Sequence, residues 1–224
     1  TRMPKNRKKK AVVFAGSRGV GKSIADQLID LGYDTDALSS KDVDTSNIKQ
    51  VEKFIKKCPN VDILVLNTGG PPAKEFKSIT KTEWIKYFNQ LFLSFVLTLQ
   101  GIKVNKNGYV FLISSYVIRE PDAMLTISNA YRIALTSIMK TYGIQNLKRN
   151  ITTLNLALGP IYTDRLKELN KGSTKKQIGK NLPLGRVGNP SEIGDLVKSI
   201  VKNKVKYLNT QTLFIDGGIS KSLY

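Results

Sequence analysis

The segment from Ser128 to Arg132 places groups that could move a proton in the predicted opening turn of a helix. Tyr131 is adjacent to Arg132, and Ser128 lies four residues before the arginine. An i, i+4 spacing puts two side chains on the same face of a helix. A phenol titrates at about pH 10, so a neighbouring cation must favour its ionised form before it can exchange protons near neutral pH. The segment indicates either proton-transfer machinery or a tyrosine that packs with its hydroxyl at the protein edge.

Further hydroxyl groups follow an apolar run in the middle of the chain. Ser114 and Ser115 close the run that begins at residue 109, and Tyr116 comes directly after them. Side chains at the end of a buried strand are well placed to contact a ligand. We therefore treat Ser115 as a candidate catalytic residue and Tyr116 as a second candidate proton donor, with packing as the alternative for Tyr116.

Short apolar runs alternate with helical patterns along the chain. The runs are continuous, which is typical of strands covered on both faces of a sheet, and they span 11–15, 61–66, 109–114, 151–158 and 212–216. Spacing and capping signals predict helices at 21–31, from Thr80 to about residue 99, at 128–147 and from Pro190 onward. This alternation predicts an α/β protein with a doubly wound parallel sheet, whose ligands bind at the carboxyl ends of the strands.

A glycine-rich turn lies between the first predicted strand and the first predicted helix. Gly16, Gly19 and Gly21 allow the backbone to turn tightly and let a phosphate approach a helix N-terminus, where free N–H groups favour an anion. The spacing differs from the G-x-G-x-x-G dinucleotide pattern. The turn therefore predicts a cofactor phosphate site, and a tight turn without a ligand is the alternative.

Composition limits the remaining functions. The chain has 224 residues, of which 41% are apolar, and this is enough for one domain. The net charge of +19 would attract polyanions. However, the basic residues are dispersed apart from the run at 7–10, and no array of stacking aromatic side chains is evident, so we do not expect nucleic-acid binding.

Membrane, metal and disulfide sites are not expected either. The longest apolar stretch, 91–99, is too short to cross a bilayer. The chain has no histidine, and its one cysteine, Cys58, cannot form an internal disulfide, so we expect no zinc or haem site. The basic start runs directly into the first apolar run without a signal-peptide pattern, and we expect a cytoplasmic protein.

The order of these motifs resembles the short-chain dehydrogenase/reductase family over nearly the whole chain. Residues 14–21 match the family's T-G-x-x-x-G-x-G, with Phe14 and Ala15 in place of the threonine and the first glycine. Asn67-Thr68-Gly69 resembles the family's Asn-Ala-Gly, and Asp42-Val43 resembles a pair that contacts adenine. Gly159 and Thr163 match a Pro-Gly turn and a threonine that holds the nicotinamide carboxamide. Residues 183–193 and 216–218 resemble the family's C-terminal segment.

The resemblance implies a single-domain Rossmann-like fold over 11–224 after a basic tail at 1–10. It also implies a set of cofactor-binding residues: Gly16, Ser17, Arg18, Gly19, Val20, Gly21, Ser39, Asp42, Val43, Asn67, Gly69, Arg132, Gly159, Ile161 and Thr163. Between Gly32 and Asp42 the chain has room for a second strand but not for the helix that usually follows it. We therefore expect a shortened segment on the adenine side of the cofactor.

The cofactor predicted from the second strand is NADP, with NAD as the alternative. NAD selectivity uses an acidic side chain at the end of this strand, and that place falls at residues 37–39, which are Ala, Leu and Ser. Asp36 lies one residue early, and we expect it to point elsewhere. Arg18 and residues 39–41 could instead surround a 2′-phosphate.

The resemblance also implies four catalytic positions, and only one keeps its residue type. Ser115 matches the family's serine, whereas Ser128 stands at the tyrosine position, Arg132 at the lysine position and Leu91 at the asparagine position. The proton donor is therefore either relocated, with Tyr131 or Tyr116 as candidates, or lost. The catalytic candidates are Ser115, Ser128, Tyr131 and Arg132.

These features predict an NADP(H)-dependent oxidoreductase that reduces a carbonyl or oxidises an alcohol, similar to a 3-oxoacyl reductase. The alternative is a catalytically impaired dinucleotide-binding sensor or scaffold. A polar loop at about 164–182 would close over the substrate, and Arg165 and Lys167 in it suggest either an anionic substrate or a solvated lid. The resemblance further implies a homodimer or homotetramer formed through the helices at 80–103 and 128–147.

Overall fold

Six parallel strands form the centre of the protein in the computed structural model, which describes residues 8–223. The strands are β1 (Lys10–Val13), β2 (Asp34–Ala37), β3 (Val61–Leu66), β4 (Val104–Ser115), β5 (Thr152–Leu158) and β6 (Gln211–Ile215). Their order across the sheet is β2-β1-β3-β4-β5-β6. β2 is added on one side of β1, and the strands from β3 onward are added on the other side, so the topological switch point lies between β1 and β3. Parallel sheets bind ligands at such a switch point. The predicted doubly wound parallel sheet is confirmed.

Helices cover both faces of this sheet. They are α1 (Gly19–Asp30), α2 (Ile48–Lys57), α3 (Lys81–Phe88), α4 (Ser94–Gly101), α5 (Thr126–Gln145), α6 (Asp164–Leu169), α7 (Lys175–Lys180) and α8 (Pro190–Lys202). Successive strand residues point to opposite faces, so Ala11 and Val13 pack with α1 and α8, whereas Val12 packs with α2, α4 and α5. Each face of the sheet thus carries one buried hydrophobic layer with partly buried apolar residues at its edge.

Helix boundaries follow the capping signals, with three differences. Thr80 and Glu83 form the predicted capping box at the start of α3. The single long helix predicted to follow is divided by a π-helical turn at Asn89–Leu93, after which α4 continues. The helix predicted at 128–147 begins two residues earlier, at Thr126. Thr174 and Gln177 cap α7, so the segment predicted as a polar loop at 164–182 contains two short helices.

The segment after β2 is short, as the sequence predicts. Residues 38–47 form turns that lead directly into α2, and β2 is therefore an edge strand of the sheet. Lys10 Nζ lies 3.1 Å from the Asp34 carboxylate and 2.6 Å from the Asp36 carboxylate. Charged side chains at an exposed edge oppose pairing with another chain. The Asp36 carboxylate is thus engaged by Lys10, which is compatible with the prediction that it points elsewhere than the cofactor.

Two further predictions concern the basic tail at 1–10 and membrane-spanning helices. Residues 1–7 of the predicted basic tail lie outside the described residues, and Lys10, its last residue, is the first residue of β1. Within 8–223, no helix combines the length and the apolar character needed to cross a bilayer.

Candidate active site

The turn between β1 and α1 ends in an open helix N-terminus. Arg18 occupies the N-cap position, but its side chain forms no capping hydrogen bond with any residue of the described chain. The first helical residues are Gly19, Val20 and Gly21, of which Gly19 is the partly exposed one. Gly19 has a φ of +54°, and a Cβ there would lie 3.2 Å from Thr163 Cγ2. The free donors and the helix dipole make this end of α1 suited to a phosphate.

The other two glycines of the turn are needed for the protein's own packing. A Cβ on Gly16 would lie 2.8 Å from the Val13 carbonyl oxygen, and one on Gly21 would lie 2.1 Å from the Ala15 carbonyl oxygen. Ala15 itself has a φ of +46°, a left-handed conformation that favours glycine. The tight-turn explanation therefore accounts for Gly16 and Gly21, whereas the anion site depends on Gly19 and the uncapped helix.

The end of β3 contacts this turn and the π-helical segment. Asn67 Nδ2 donates to the Ala15 carbonyl at 3.4 Å. Gln90 Nε2 donates to the Gly69 carbonyl at 2.9 Å, from a position beside Leu91, which is buried. A π-helical turn inserts an extra residue and often marks a functional site. The family's spacing from Trp84 points to Leu91. That spacing therefore misses Gln90, which is the residue that contacts the loop after β3.

Three catalytic candidates lie on β4 and α5, and two of them are joined by a hydrogen bond. Ser115 is the last residue of β4, and its Oγ accepts a long hydrogen bond of 3.5 Å from the Val117 N–H. Arg132 Nε donates to Ser128 Oγ at 3.0 Å, and Arg132 Nη1 donates to the Ile113 carbonyl at 3.1 Å. Ser128 is buried in α5. Arg132 therefore fixes Ser128 and reaches the strand two residues before Ser115.

Tyr131 is engaged elsewhere. Its hydroxyl donates to the Trp84 carbonyl at 3.2 Å, and its ring makes edge contacts with Trp84 and Phe88, each at a centroid distance of 5.7 Å. Burial raises the pKa of Tyr131. These contacts support packing, one of the two roles that the sequence allows for Tyr131. They argue against Tyr131 as the relocated proton donor.

Tyr116 has surroundings that oppose ionisation. Burial raises its pKa, and the neighbouring carboxylates of Asp122, Glu120 and Asp216 act in the same direction. An activated phenol requires the reverse, a nearby cation that lowers the pKa. Tyr116 therefore lies next to Ser115 without the electrostatic support that proton exchange near neutral pH needs.

Arg132 supplies the positive charge of the site. Burial lowers the pKa of Arg132 to about 10, and the charge of Arg165 contributes to the same change. The guanidinium remains protonated at neutral pH despite this change. It can bind hydroxyl groups and stabilise negative charge, but it does not exchange a proton itself.

The remaining predicted cofactor residues line the ends of β2 and β5 or support them. A Cβ on Gly159 would lie 2.6 Å from Asp216 Cα, and Ile161 bridges to Gly188. Thr163 caps α6, where its Oγ1 accepts from the Leu166 N–H.

On the adenine side, Asp42 accepts hydrogen bonds from Ser39 N–H at 2.8 Å and from Ser39 Oγ at 2.7 Å. These bonds lower the pKa of Asp42. Val43 and Val20 are buried in the two core layers, whereas Ser17 and Arg18 are exposed.

Comparison with known proteins identifies this arrangement. A family model described as enoyl-(acyl carrier protein) reductase matches residues 22–220. The chain belongs to the short-chain dehydrogenase/reductase family. The chain is 26% identical to a 3-oxoacyl-(acyl-carrier-protein) reductase of Chlamydia pneumoniae, with 95% of this chain and 97% of the relative covered. It is 29% identical to carbonyl reductase family member 4 of Xenopus laevis, over 96% of this chain and 99% of the relative.

Solved structures share the fold. A blue fluorescent protein from a metagenomic library, solved in complex with NADPH, superposes with a TM-score of 0.84 at 23% identity, over 95% of this chain and 98% of the other. A family member from Francisella tularensis gives a TM-score of 0.86 at 19% identity, over 96% and 100% of the two chains. The protein is thus an oxidoreductase of the short-chain type.

Proposed function

We propose that the protein uses NADP(H) to reduce a carbonyl or oxidise an alcohol, like a 3-oxoacyl reductase with altered catalytic residues. The observation that carries the proposal is the set of contacts made at the carboxyl ends of four strands, β1, β3, β4 and β5. Gly19 faces Thr163, Asn67 binds the turn after β1, and Ser115 ends β4 beside the Ile113 carbonyl that Arg132 binds.

Each group has a distinct role in this proposal. The bound nicotinamide supplies or accepts a hydride. The uncapped N-terminus of α1 binds the pyrophosphate, Arg132 binds ribose hydroxyls, and Ser115 donates a hydrogen bond to the substrate oxygen. A relative from Bacillus subtilis that is 24% identical is named an NADPH-dependent reductase, which supports the choice of NADP.

Selectivity for NADP is assigned to Arg18, because no acidic side chain follows β2 within residues 37–41. The test is a fluorescence titration with NADPH and NADH. Arg18→Gln should weaken NADPH binding and leave NADH binding unchanged. Lys22→Gln is the matched control, since Lys22 is paired with Asp26 at 2.7 Å on the exposed side of α1. Equal effects of the two substitutions on NADPH would contradict the assignment.

A dinucleotide-binding sensor or scaffold is the second candidate function. It is favoured by the bond between Arg132 and Ser128 and by the engagement of Tyr131 with Trp84, which leave the site without an activated phenol. Consumption of NADPH with a panel of ketones and 3-oxoacyl thioesters separates the two. Tight NADPH binding with no turnover on any of them would favour the sensor.

A homodimer or homotetramer is proposed through α3, α4 and α5. Ile85, Phe88 and Ile133 on these helices are exposed, whereas Phe95 and Met139 lie in the core against the sheet. Exposed apolar side chains close together are typical of an interface. Light scattering of the protein and of Ile133→Lys tests this, because a monomer in both cases would contradict it.

A further inference from the structure

A polar side chain lies in the middle of the apolar strand β5. Asn155 stands between Leu154 and Leu156 and is only 3% exposed. Its amide has two N–H donors and one oxygen acceptor. Leaving these groups unpaired in a hydrophobic core would destabilise the fold. The partners of Asn155 therefore form a connection that the core strongly favours.

Three hydroxyl groups, from three different elements, satisfy this amide. Ser114 Oγ in β4 donates to Asn155 Oδ1 at 2.5 Å, and both residues are buried. Asn155 Nδ2 donates to Thr136 Oγ1 in α5 at 3.1 Å and to Thr212 Oγ1 in β6 at 3.3 Å. Asn155 and Thr212 are also partners in the strand register. The amide thus joins β4, β6 and α5 to one point of β5.

Thr136 carries this connection to the part of α5 that holds the site residues. Its Oγ1 donates to the Arg132 carbonyl at 2.8 Å, one turn earlier in the helix. The Arg132 guanidinium contacts the sheet separately, through the Ile113 carbonyl at 3.1 Å. Ile113 and Ser114 directly precede Ser115. The end of β4 and the backbone of α5 at Arg132 are therefore joined by two independent routes.

The space beside this network is not filled by side chains. A cavity of about 250 Å³ borders Thr136, Asn155 and Thr212. Packing alone therefore does not fix the separation of α5 from β6 at this point, and hydrogen bonds through the Asn155 amide contribute to it.

We propose that Thr136 is a positioning residue, which holds Arg132 at its distance from Ser115 by joining α5 to the Asn155 amide. The proposal rests on the proposed function, in which Arg132 binds the ribose hydroxyls of the dinucleotide. Small displacements of a binding group from its working geometry have large effects on function. The hydroxyl of Thr136 should therefore affect cofactor binding although it lies one helical turn beyond Arg132.

The test substitution is Thr136→Val, which keeps nearly the same shape and removes the hydroxyl. It should weaken NADPH binding in a fluorescence titration by about 3- to 10-fold, the usual net effect of one hydrogen bond. A second measurement needs no cofactor. The Nε–H of Arg132 donates to Ser128 Oγ at 3.0 Å, and its NMR signal should exchange with water faster in Thr136→Val. Thr136→Ser keeps the hydroxyl and should retain wild-type behaviour in both measurements.

Two further variants separate positioning from a general loss of stability. Thr212→Val removes the other hydroxyl that accepts from Asn155 Nδ2 and leaves α5 unchanged. Thr141→Val removes a hydroxyl that donates to the Ser137 carbonyl at 3.2 Å, the same type of bond within α5, from an exposed position. Both should leave the NADPH affinity and the exchange of Arg132 Nε–H unchanged. The unfolding temperature of every variant is measured in parallel.

The possible results separate this proposal from the proposed function. Equal effects of Thr136→Val and Thr212→Val would mean that the amide stabilises the sheet as a whole, and would overturn the positioning role. Equal effects of Thr136→Val and Thr141→Val, or none from Thr136→Val, would overturn it too. Absence of NADPH binding to the wild type would contradict the proposed function. Faster exchange of Arg132 Nε–H in Thr136→Val alone would still show that Thr136 positions Arg132.

Discussion

Restoring a phenol at position 128 tests whether the missing proton donor limits the chemistry. Ser128 is buried near the start of α5, and its Oγ lies 3.0 Å from Arg132 Nε. In Ser128→Tyr the ring would displace Arg132 from this contact, and the phenol oxygen would lie farther from the helix backbone than Ser128 Oγ does, within reach of a guanidinium that has moved with it. At a separation of about 4 Å and an effective dielectric constant of about 20, the attraction is worth about 4 kcal/mol. That energy corresponds to about a thousandfold increase in the ratio of phenolate to phenol, which burial partly offsets.

A positioned general acid contributes about 10²- to 10⁴-fold in rate. We therefore expect Ser128→Tyr to reduce an activated ketone with NADPH at least 10²-fold faster than Ser128→Phe. The phenylalanine variant is the matched control because it adds the same ring and the same overpacking, about 1–3 kcal/mol, without the hydroxyl. Initial rates at saturating NADPH measure the difference. Equal rates for the two variants, with NADPH binding retained in both, would refute the view that the lack of a proton donor at this position limits the rate.

Other predictions address single groups. Ser115→Ala should lower kcat/KM by about 10²- to 10³-fold, as for loss of an oxyanion donor, with unchanged NADPH affinity; a smaller loss would remove Ser115 from the chemistry. Gly21→Ala should lower the free energy of unfolding by about 3 kcal/mol and Tm by about 6–12 °C, because its Cβ would lie 2.1 Å from a backbone oxygen. Gly69→Ala, where the nearest atom is 3.9 Å away, should change Tm little in the same calorimetric scan. Hydrogen bonds from Arg186 lower the pKa of Glu192 from 4.5 to about 2, so this carboxylate stabilises the fold above pH 4.5 and loses that effect as the pH falls to about 2. Wild type should therefore lose more stability than Glu192→Gln across this pH range in denaturant titrations, and parallel losses would contradict the ion pair.

The sequence was sufficient for the sheet and for those site residues whose positions follow from strand ends. Strand ends are set by apolar runs, and the spacing from Ser115 to Arg132 is fixed by one turn and one regular helix. The same reasoning could not find Gln90, because a π-helical turn changes the register that helical spacing assumes. α2 also went unpredicted, although Val51, Phe54 and Ile55 on it pack against the core at helical spacing.

The fate of Tyr131 depended on tertiary packing. Its ring packs against Trp84 and Phe88, which lie about 45 residues earlier in the chain. Neither periodicity nor local spacing carries information about such a contact. Arg165 is similar, since its partner Pro71 belongs to a different loop.

The position of β2 at the sheet edge has a consequence for how the cofactor would be selected in solution. With no further strand or helix beyond β2 in the described chain, bulk water and its ions reach the side of the crevice assigned to adenosine. An ionic contact there is attenuated over a Debye length of about 10 Å at 0.1 M salt. Any preference for NADPH over NADH that relies on Arg18 should therefore diminish as potassium chloride is added. The ratio of the two affinities would then depend on the ionic strength at which the protein works.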